Sequence, residues 1–435
     1  MSQPAPFPFA DRPRLFGVAV SHFQVEGNDP CDWTDWELAG KTRGGPCGRA
    51  AGSWDQYEED AEAAVALGAN AFRFSVSWSR VEPRQGEFDE AALERYARLV
   101  VRLDALGLEP VVTLLHYTHP RWFHDATPWT STASVDAFAR FAARTARALG
   151  PKARCWTVLN EPLVLVLGGY LDGQVPPGIV SSRDAARALD HLLAAHEAAA
   201  AQIRAAVPGA AIGVAHNMMG FAPERARNPF DRALVRVAGR FYNQTLLDAF
   251  GEGRWSAYLP PFTRLAGRRP GLPASLDFFG VNYYSRLHLR FLGDGGRIGS
   301  FAYRDPHGRG VTDNGWEIVP EVFLPLLRQA ASLGKPLLVT ENGLADAADT
   351  KRAAYLESHV AVLAEAEAEG LPVHGYLHWS LVDNYEWLDG WEPRFGLLEL
   401  DRETLARRER PSAQTFRRLA SGYLGPAFFP AGPLI

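Results

Sequence analysis

Glu161 lies between an asparagine and a proline, and Glu341 precedes an asparagine and a glycine; each stands just past a short apolar run, at 155–160 and 337–340. Taken singly, Asn160-Glu161-Pro162 also reads as a helix entry with proline in the first turn, and Glu341-Asn342-Gly343 as a turn. Two carboxyls facing one cavity can divide a task. One, protonated, gives its proton to a departing oxygen, while the other, ionised, meets the positive charge that develops on carbon. This is the requirement for cleaving a glycosidic bond through an oxocarbenium-like state. It needs two surroundings that hold two pKa values apart. Arg73 and the Tyr284 hydroxyl are expected to keep Glu341 ionised. Glu161, in a more apolar setting beside Asn160 and aromatic residues, is expected to keep its proton.

Carboxyls 180 positions apart meet only if the fold carries both to one place. Apolar runs that read as strands lie at 14–20, 71–76, 109–115, 155–160, 211–215, 278–283, 337–340 and 373–379. Between them, helical periodicity covers 54–67, 90–106, 134–149, 183–206, 230–249, 319–333 and 350–369, and Gly68, Gly107, Gly150, Gly334 and Gly370 mark helix ends. Alternation of this kind implies an α/β fold with a parallel sheet and helices outside it, and eight strands close most economically as a single (β/α)8 TIM barrel over residues 1–435. A doubly wound open sheet fits less well, because no glycine-rich phosphate loop follows any strand. Polar and aromatic clusters follow the strands, where a barrel does its chemistry. The Gly/Arg-rich stretch 292–310 reads as a long loop on that rim.

Composition narrows the partners. With 47% hydrophobic and 22% charged residues the chain can bury a large core. Its 45 basic and 50 acidic residues are interspersed, which argues against a nucleic-acid or polybasic membrane surface. Three distant cysteines form no disulfide framework and suit a reducing, cytoplasmic compartment. The 12 histidines show no metal-ligand spacing, so neither metal nor other cofactor is expected. Residues 1–16 carry four prolines and no apolar leader core, and no run is long enough to span a membrane. Ordinary packing is expected for Trp33, Trp36, Trp54 and Trp156, a structural role for Glu26, and a solvated turn for Arg407-Arg408-Glu409-Arg410.

The chain resembles glycoside hydrolase family 1, the β-glucosidase-like retaining enzymes. The resemblance rests on Gln24-Val25-Glu26-Gly27, Phe72-Arg73-Phe74-Ser75, Thr157 to Pro162, Asn282-Tyr283-Tyr284, Gly315-Trp316-Glu317-Ile318, Val339 to Gly343, His378 to Trp387 and Arg394-Phe395-Gly396, in the family's order along the chain. It implies hydrolysis of terminal β-D-glucosyl residues, with β-galactosyl or β-fucosyl as further substrates. Glu161 is then the acid/base and Glu341 the nucleophile of a double displacement, with carboxyls ~5–5.5 Å apart. The resemblance also places Asn160 at the sugar 2-hydroxyl, Arg73 and Tyr284 on the nucleophile, and Gln24, His116, Glu386 and Trp387 at the other hydroxyls. Trp379 becomes the stacking floor, Trp316 part of the leaving-group side, and Asn282 a member of the substrate-binding set. A carboxylate at 386 implies unphosphorylated sugars. Where the family often reads His-Trp-Asp-Leu-Pro, this chain has His116-Tyr117-Thr118-His119-Pro120, which leaves the part of Tyr117 at the 3-hydroxyl open. A transglycosylase on the same scaffold and a non-catalytic sugar-binding protein are the alternatives.

Overall fold

Residues two apart on a strand share a face, and in a closed barrel the inward face is built up in layers. The computed structural model describes residues 14–259, 263–293 and 298–425. In it, strands β1 (Leu15–Ala19), β2 (Ala71–Ser75), β3 (Glu109–Leu115), β4 (Cys155–Asn160), β5 (Ala211–Asn217), β6 (Phe278–Asn282), β7 (Leu337–Asn342) and β8 (Val373–Trp379) form a closed parallel barrel, β8 pairing back onto β1. Leu15, Ala71, Val111, Cys155, Ala211, Phe278, Leu338 and Leu377, one from each strand, pack together as an apolar plug. Gly213 makes room for the large member: a Cβ there would lie 2.3 Å from the Phe278 ring. Two residues further along their strands stand Arg73, Thr113, Thr157 and Thr340. The interior thus changes from apolar to polar over one strand repeat, and the polar layer is the base of the site.

Strict alternation fails where the carboxyls emerge. On β4 the register against β5 slips between Thr157 and Asn160, and on β7 it slips beyond Val339 against both neighbours. Bulges of this kind re-aim side chains at barrel rims. They allow the consecutive residues Asn160 and Glu161 to reach the same cavity, and Glu341 to reach it from β7.

The helices follow the expected segments, with Asp89 capping Glu90–Ala105 and Ser181 capping Ser182–Ala206. The five glycines expected at helix ends all have positive φ. The helix expected over 230–249 is two, Pro229–Gly239 and Thr245–Glu252, joined by one wide turn. A helix not anticipated, Ser412–Leu424, packs Phe416 on Phe16 at 5.0 Å. The stretch 292–310 is not simply a loop, although its residues 294–297 lie outside the described residues. Arg286–Leu292 pairs antiparallel with Ile298–Ala302 and parallel with Gly220–Pro223, making a small sheet above the barrel. The run at 407–410 is likewise not a solvated turn: Arg407–Glu409 pairs with Leu398–Leu400, and Arg410 is buried on Asp383, because that buried carboxylate needs a counter-charge. Residues 1–13 of the proline-rich segment lie outside the described residues. Among the described residues no helix is long and apolar enough to cross a membrane.

Candidate active site

A cavity of about 350 Å³ opens at the C-terminal ends of the strands. Glu161 and Glu341 both line it, with His116, Tyr117, Asn160, Tyr284, Trp316, Trp379, Glu386 and Trp387. The other three expected residues, Gln24, Arg73 and Asn282, are buried and are not among its lining residues.

Glu341 is held by a cation. Arg73 Nη1 donates to its Oε1 at 2.5 Å and the Tyr284 hydroxyl to its Oε2 at 2.7 Å. Arg73 is itself fixed by the Thr340 carbonyl and Thr113 hydroxyl, each at 3.1 Å, and by Asn160 Oδ1 at 2.6 Å. Gly343 allows the turn that follows: a Cβ there would lie 1.8 Å from the Trp379 carbonyl oxygen.

Glu161 is held by neutral donors. Asn282 Nδ2 at 2.7 Å and Asn217 Nδ2 at 3.1 Å donate to Oε1, and the Tyr117 hydroxyl donates to Oε2. The Tyr242 hydroxyl orients Asn217 at 3.0 Å. The setting of Glu161 is therefore not the apolar one expected. Nor do Arg73 and Tyr284 alone set the ionisation of Glu341: burial and the Glu161 charge push it up, Arg73 and Tyr284 pull it down, and the net result is a value raised to about 7.

The remaining polar groups form a chain across the floor. Asn160 Oδ1 accepts from Arg73 and Asn282, so its Nδ2 donates to His116 Nε2 at 3.1 Å. Burial holds His116 well below its ordinary range, so the ring is neutral and its proton sits on Nδ1, which has no partner among the described residues. The Trp379 indole donates to Glu386 at 3.2 Å. Burial lifts Glu386 to about 8, with the Glu341 charge adding to it. Gln24 is fixed by Ser21 at 2.7 Å and Asn384 at 3.0 Å. Trp387 stacks on Phe23 at 5.4 Å and meets Trp33 at 4.7 Å, so Trp33, expected as packing, also lines the cavity.

Residues 8–422 match the model of glycosyl hydrolase family 1. The chain belongs to that family. It is 31% identical to β-glucosidase A of Thermotoga maritima over 90% of this chain and 93% of that protein, and 29% identical to a β-galactosidase of Pyrococcus woesei over 94% and 96%. Among solved structures it resembles the β-glycosidase from Pyrococcus horikoshii, with TM-score 0.86 and 32% identity over 94% of each chain. The Thermotoga maritima β-glucosidase in complex with glucoimidazole gives TM-score 0.86 and 30% identity over 95% and 98%. The chain is accordingly a glycoside hydrolase of the β-glycosidase type.

Two residues of this family 1 site were missed in the sequence. Asn217 ends β5, which reads as stopping at Ala215, and Tyr242 lies in the wide turn that interrupts its helix. Extending each strand to its last polar residue finds Asn217; no local signal finds Tyr242. Away from the cavity, Asp32, His119 and His124 bring three ligand-type atoms within 4.8 Å of one another. His119 Nε2 accepts the Trp129 indole N–H at 2.7 Å, so its Nδ1 carries a proton and donates it to Asp32 at 2.9 Å. Neither nitrogen of His119 is left with a free lone pair for a metal. Glu26 is placed as expected, between Arg80, Arg95 and the Tyr96 hydroxyl.

Proposed function

We propose that this glycoside hydrolase is a retaining β-glycosidase that removes terminal non-reducing β-D-glucosyl residues, and also β-galactosyl or β-fucosyl residues, from small-molecule glycosides. The observation that carries the reading is the unequal pair of donor sets: a guanidinium on Glu341 and neutral groups on Glu161. When the pair shares one proton, the ionised member is the one beside the cation. Glu341 then attacks the anomeric carbon while Glu161 gives its proton to the departing oxygen. In the second step Glu161 takes a proton from water, which displaces the sugar from Glu341, and two inversions leave the configuration unchanged.

Recognition of the sugar falls to Asn160 at the 2-hydroxyl, to Gln24, His116, Glu386 and Trp387 at the others, and to Trp379 beneath the ring. The free Nδ1–H of His116 supports this. Trp316, which meets Tyr284 edge-on at 5.5 Å, belongs to the leaving-group side. Among the described residues, those lining the cavity include Glu161, Glu341, Glu386 and Asp389 but no Lys or Arg, which favours neutral sugars over 6-phosphorylated ones. The whole chain acts as one catalytic unit. Its three cysteines stand as buried thiols, in keeping with action in the cytoplasm.

The test is incubation with dinitrophenyl 2-deoxy-2-fluoro-β-glucoside. Stoichiometric release of dinitrophenol with the sugar attached to the peptide carrying Glu341 is expected. Release without a covalent adduct, or an adduct on another residue, would refute the double displacement through Glu341.

A further inference from the structure

Tyr117 and Glu161 each stand just past a barrel strand, β3 and β4, and each has left-handed backbone, with φ of 71° and 46°. That conformation is uncommon for residues other than glycine, and at a site it marks a side chain whose direction is imposed by its surroundings. The two are joined by the hydrogen bond from the Tyr117 hydroxyl to Glu161 Oε2. The phenol ring cannot swing away: His116 meets it edge-on at 5.4 Å and 89°, and Trp387 at 5.1 Å and 81°. Asn217 and Asn282 occupy the other carboxyl oxygen.

We propose that Tyr117 is a positioning residue for the proton-transfer step, its hydroxyl holding Glu161 Oε2 toward the departing oxygen. This rests on the reading of Glu161 as the acid/base. With Oε1 taken by two amides, the oxygen left to exchange a proton with substrate is Oε2, and Tyr117 fixes its direction. During glycosylation a Glu341 oxygen bonds to the anomeric carbon. The bond from that carbon to the leaving oxygen breaks with its electron pair, and the proton passes from Glu161 to that oxygen. Tyr117 keeps its own proton throughout and donates to Glu161 before and after. Burial and the neighbouring Glu161 charge keep the phenol far above its ordinary range, so it remains a donor.

A residue that positions the acid matters in proportion to the need for acid. Dinitrophenolate leaves without a proton, whereas an alkoxide such as that of a methyl or benzyl glucoside does not. Tyr117→Phe removes the hydroxyl and keeps the ring between His116 and Trp387. kcat/KM, normalised to competent sites by titration with dinitrophenyl 2-fluoro-glucoside, is to be measured for dinitrophenyl and benzyl β-glucosides. The loss with the benzyl glucoside is expected to exceed that with the dinitrophenyl glucoside by at least roughly tenfold, a fraction of the usual worth of general acid catalysis. Equal losses with both would show a contact to the sugar and overturn the proposal, as would no loss with either. Should Tyr117→Phe yield too few competent sites, the same ratio read in Tyr117→His, which retains a ring and a donor set at a different reach, serves: the benzyl loss must again exceed the dinitrophenyl loss. A wild-type enzyme inactive on both glucosides would instead undo the β-glucosidase reading itself.

Discussion

Arg73 and Glu341, 268 positions apart in the chain, meet at 2.5 Å inside the barrel, and the same guanidinium reaches Asn160 beside the second carboxyl. One cation thus ties the strand that carries the proposed nucleophile to the strand that carries the proposed acid. Its charge falls on only one of the two. A guanidinium, planar and with donors in fixed directions, can serve both partners at once.

Replacing Arg73 by Lys keeps the charge but not the fork. An ammonium cannot satisfy Glu341, Asn160, Thr113 and the Thr340 carbonyl together. The expected result is a fall in kcat of about 10²- to 10³-fold, the size of loss seen when a preorganised electrostatic contact is removed. Steady-state kinetics on an aryl β-glucoside checks this, and a loss confined to KM would contradict it.

Removing the nucleophile should leave the cavity intact and empty at one point. Glu341→Gly is expected to lower kcat by at least ~10⁴-fold. Azide or formate should then restore turnover of dinitrophenyl β-glucoside by occupying the lost carboxylate's place, azide giving the α-glucosyl azide. Product anomers by NMR distinguish this outcome from recovery by a contaminating enzyme.

The pH profile follows from burial. With burial raising Glu341 above the ordinary carboxyl range, kcat/KM should fall on the acid side as Glu341 takes up a proton, since protonation removes the attacking oxygen. Stability runs the other way. A carboxyl whose folded pKa is raised stabilises the fold fully below its unfolded value, near 4.5, and the contribution is lost as pH rises through the folded value. Glu341, lost through about 7, and Glu386, lost through about 8, should therefore make the empty enzyme melt lower at pH 9 than at pH 6. Glu341→Gln should flatten that difference by about 1 kcal/mol, the part of the shift that falls above pH 6. Melting curves across this range are the measurement.

Glu386 is expected to act on the sugar and not on the chemistry. Glu386→Ala should cost about 10²-fold or more in kcat/KM for aryl β-glucosides, since sugar hydroxyls would lose a carboxyl partner. The loss for the β-galactoside and β-fucoside, compared with the β-glucoside, reports which hydroxyls it reads. Equal, small losses on all three would place Glu386 outside the sugar site.

The eight strands, the helices between them and the positions of both glutamates were legible in the sequence, because periodicity, helix-end glycines and polar clusters at strand ends are local signals. Even here the misreadings are instructive. Arg410 reads as solvated without Asp383, the distant buried carboxylate it meets, and 292–310 reads as a loop because the strand that Ile298–Ala302 joins, Arg286–Leu292, is itself anchored on distant Gly220–Pro223. Arg73 and Tyr284 were legible as partners of Glu341, but the partners of Glu161 and the balance of ionisation belonged to the tertiary structure. The bulge on β4 turns two consecutive residues into the cavity and that on β7 accompanies the entry of Glu341; the approach of β5 brings Asn217 to Glu161, and Tyr117 turns to the acid. The charge state of Glu341 sums desolvation, one cation, one neighbouring acid and the Tyr284 hydroxyl, and those contributions come from strands far apart in sequence. Local sequence sets which groups are offered; only their convergence sets what each one does.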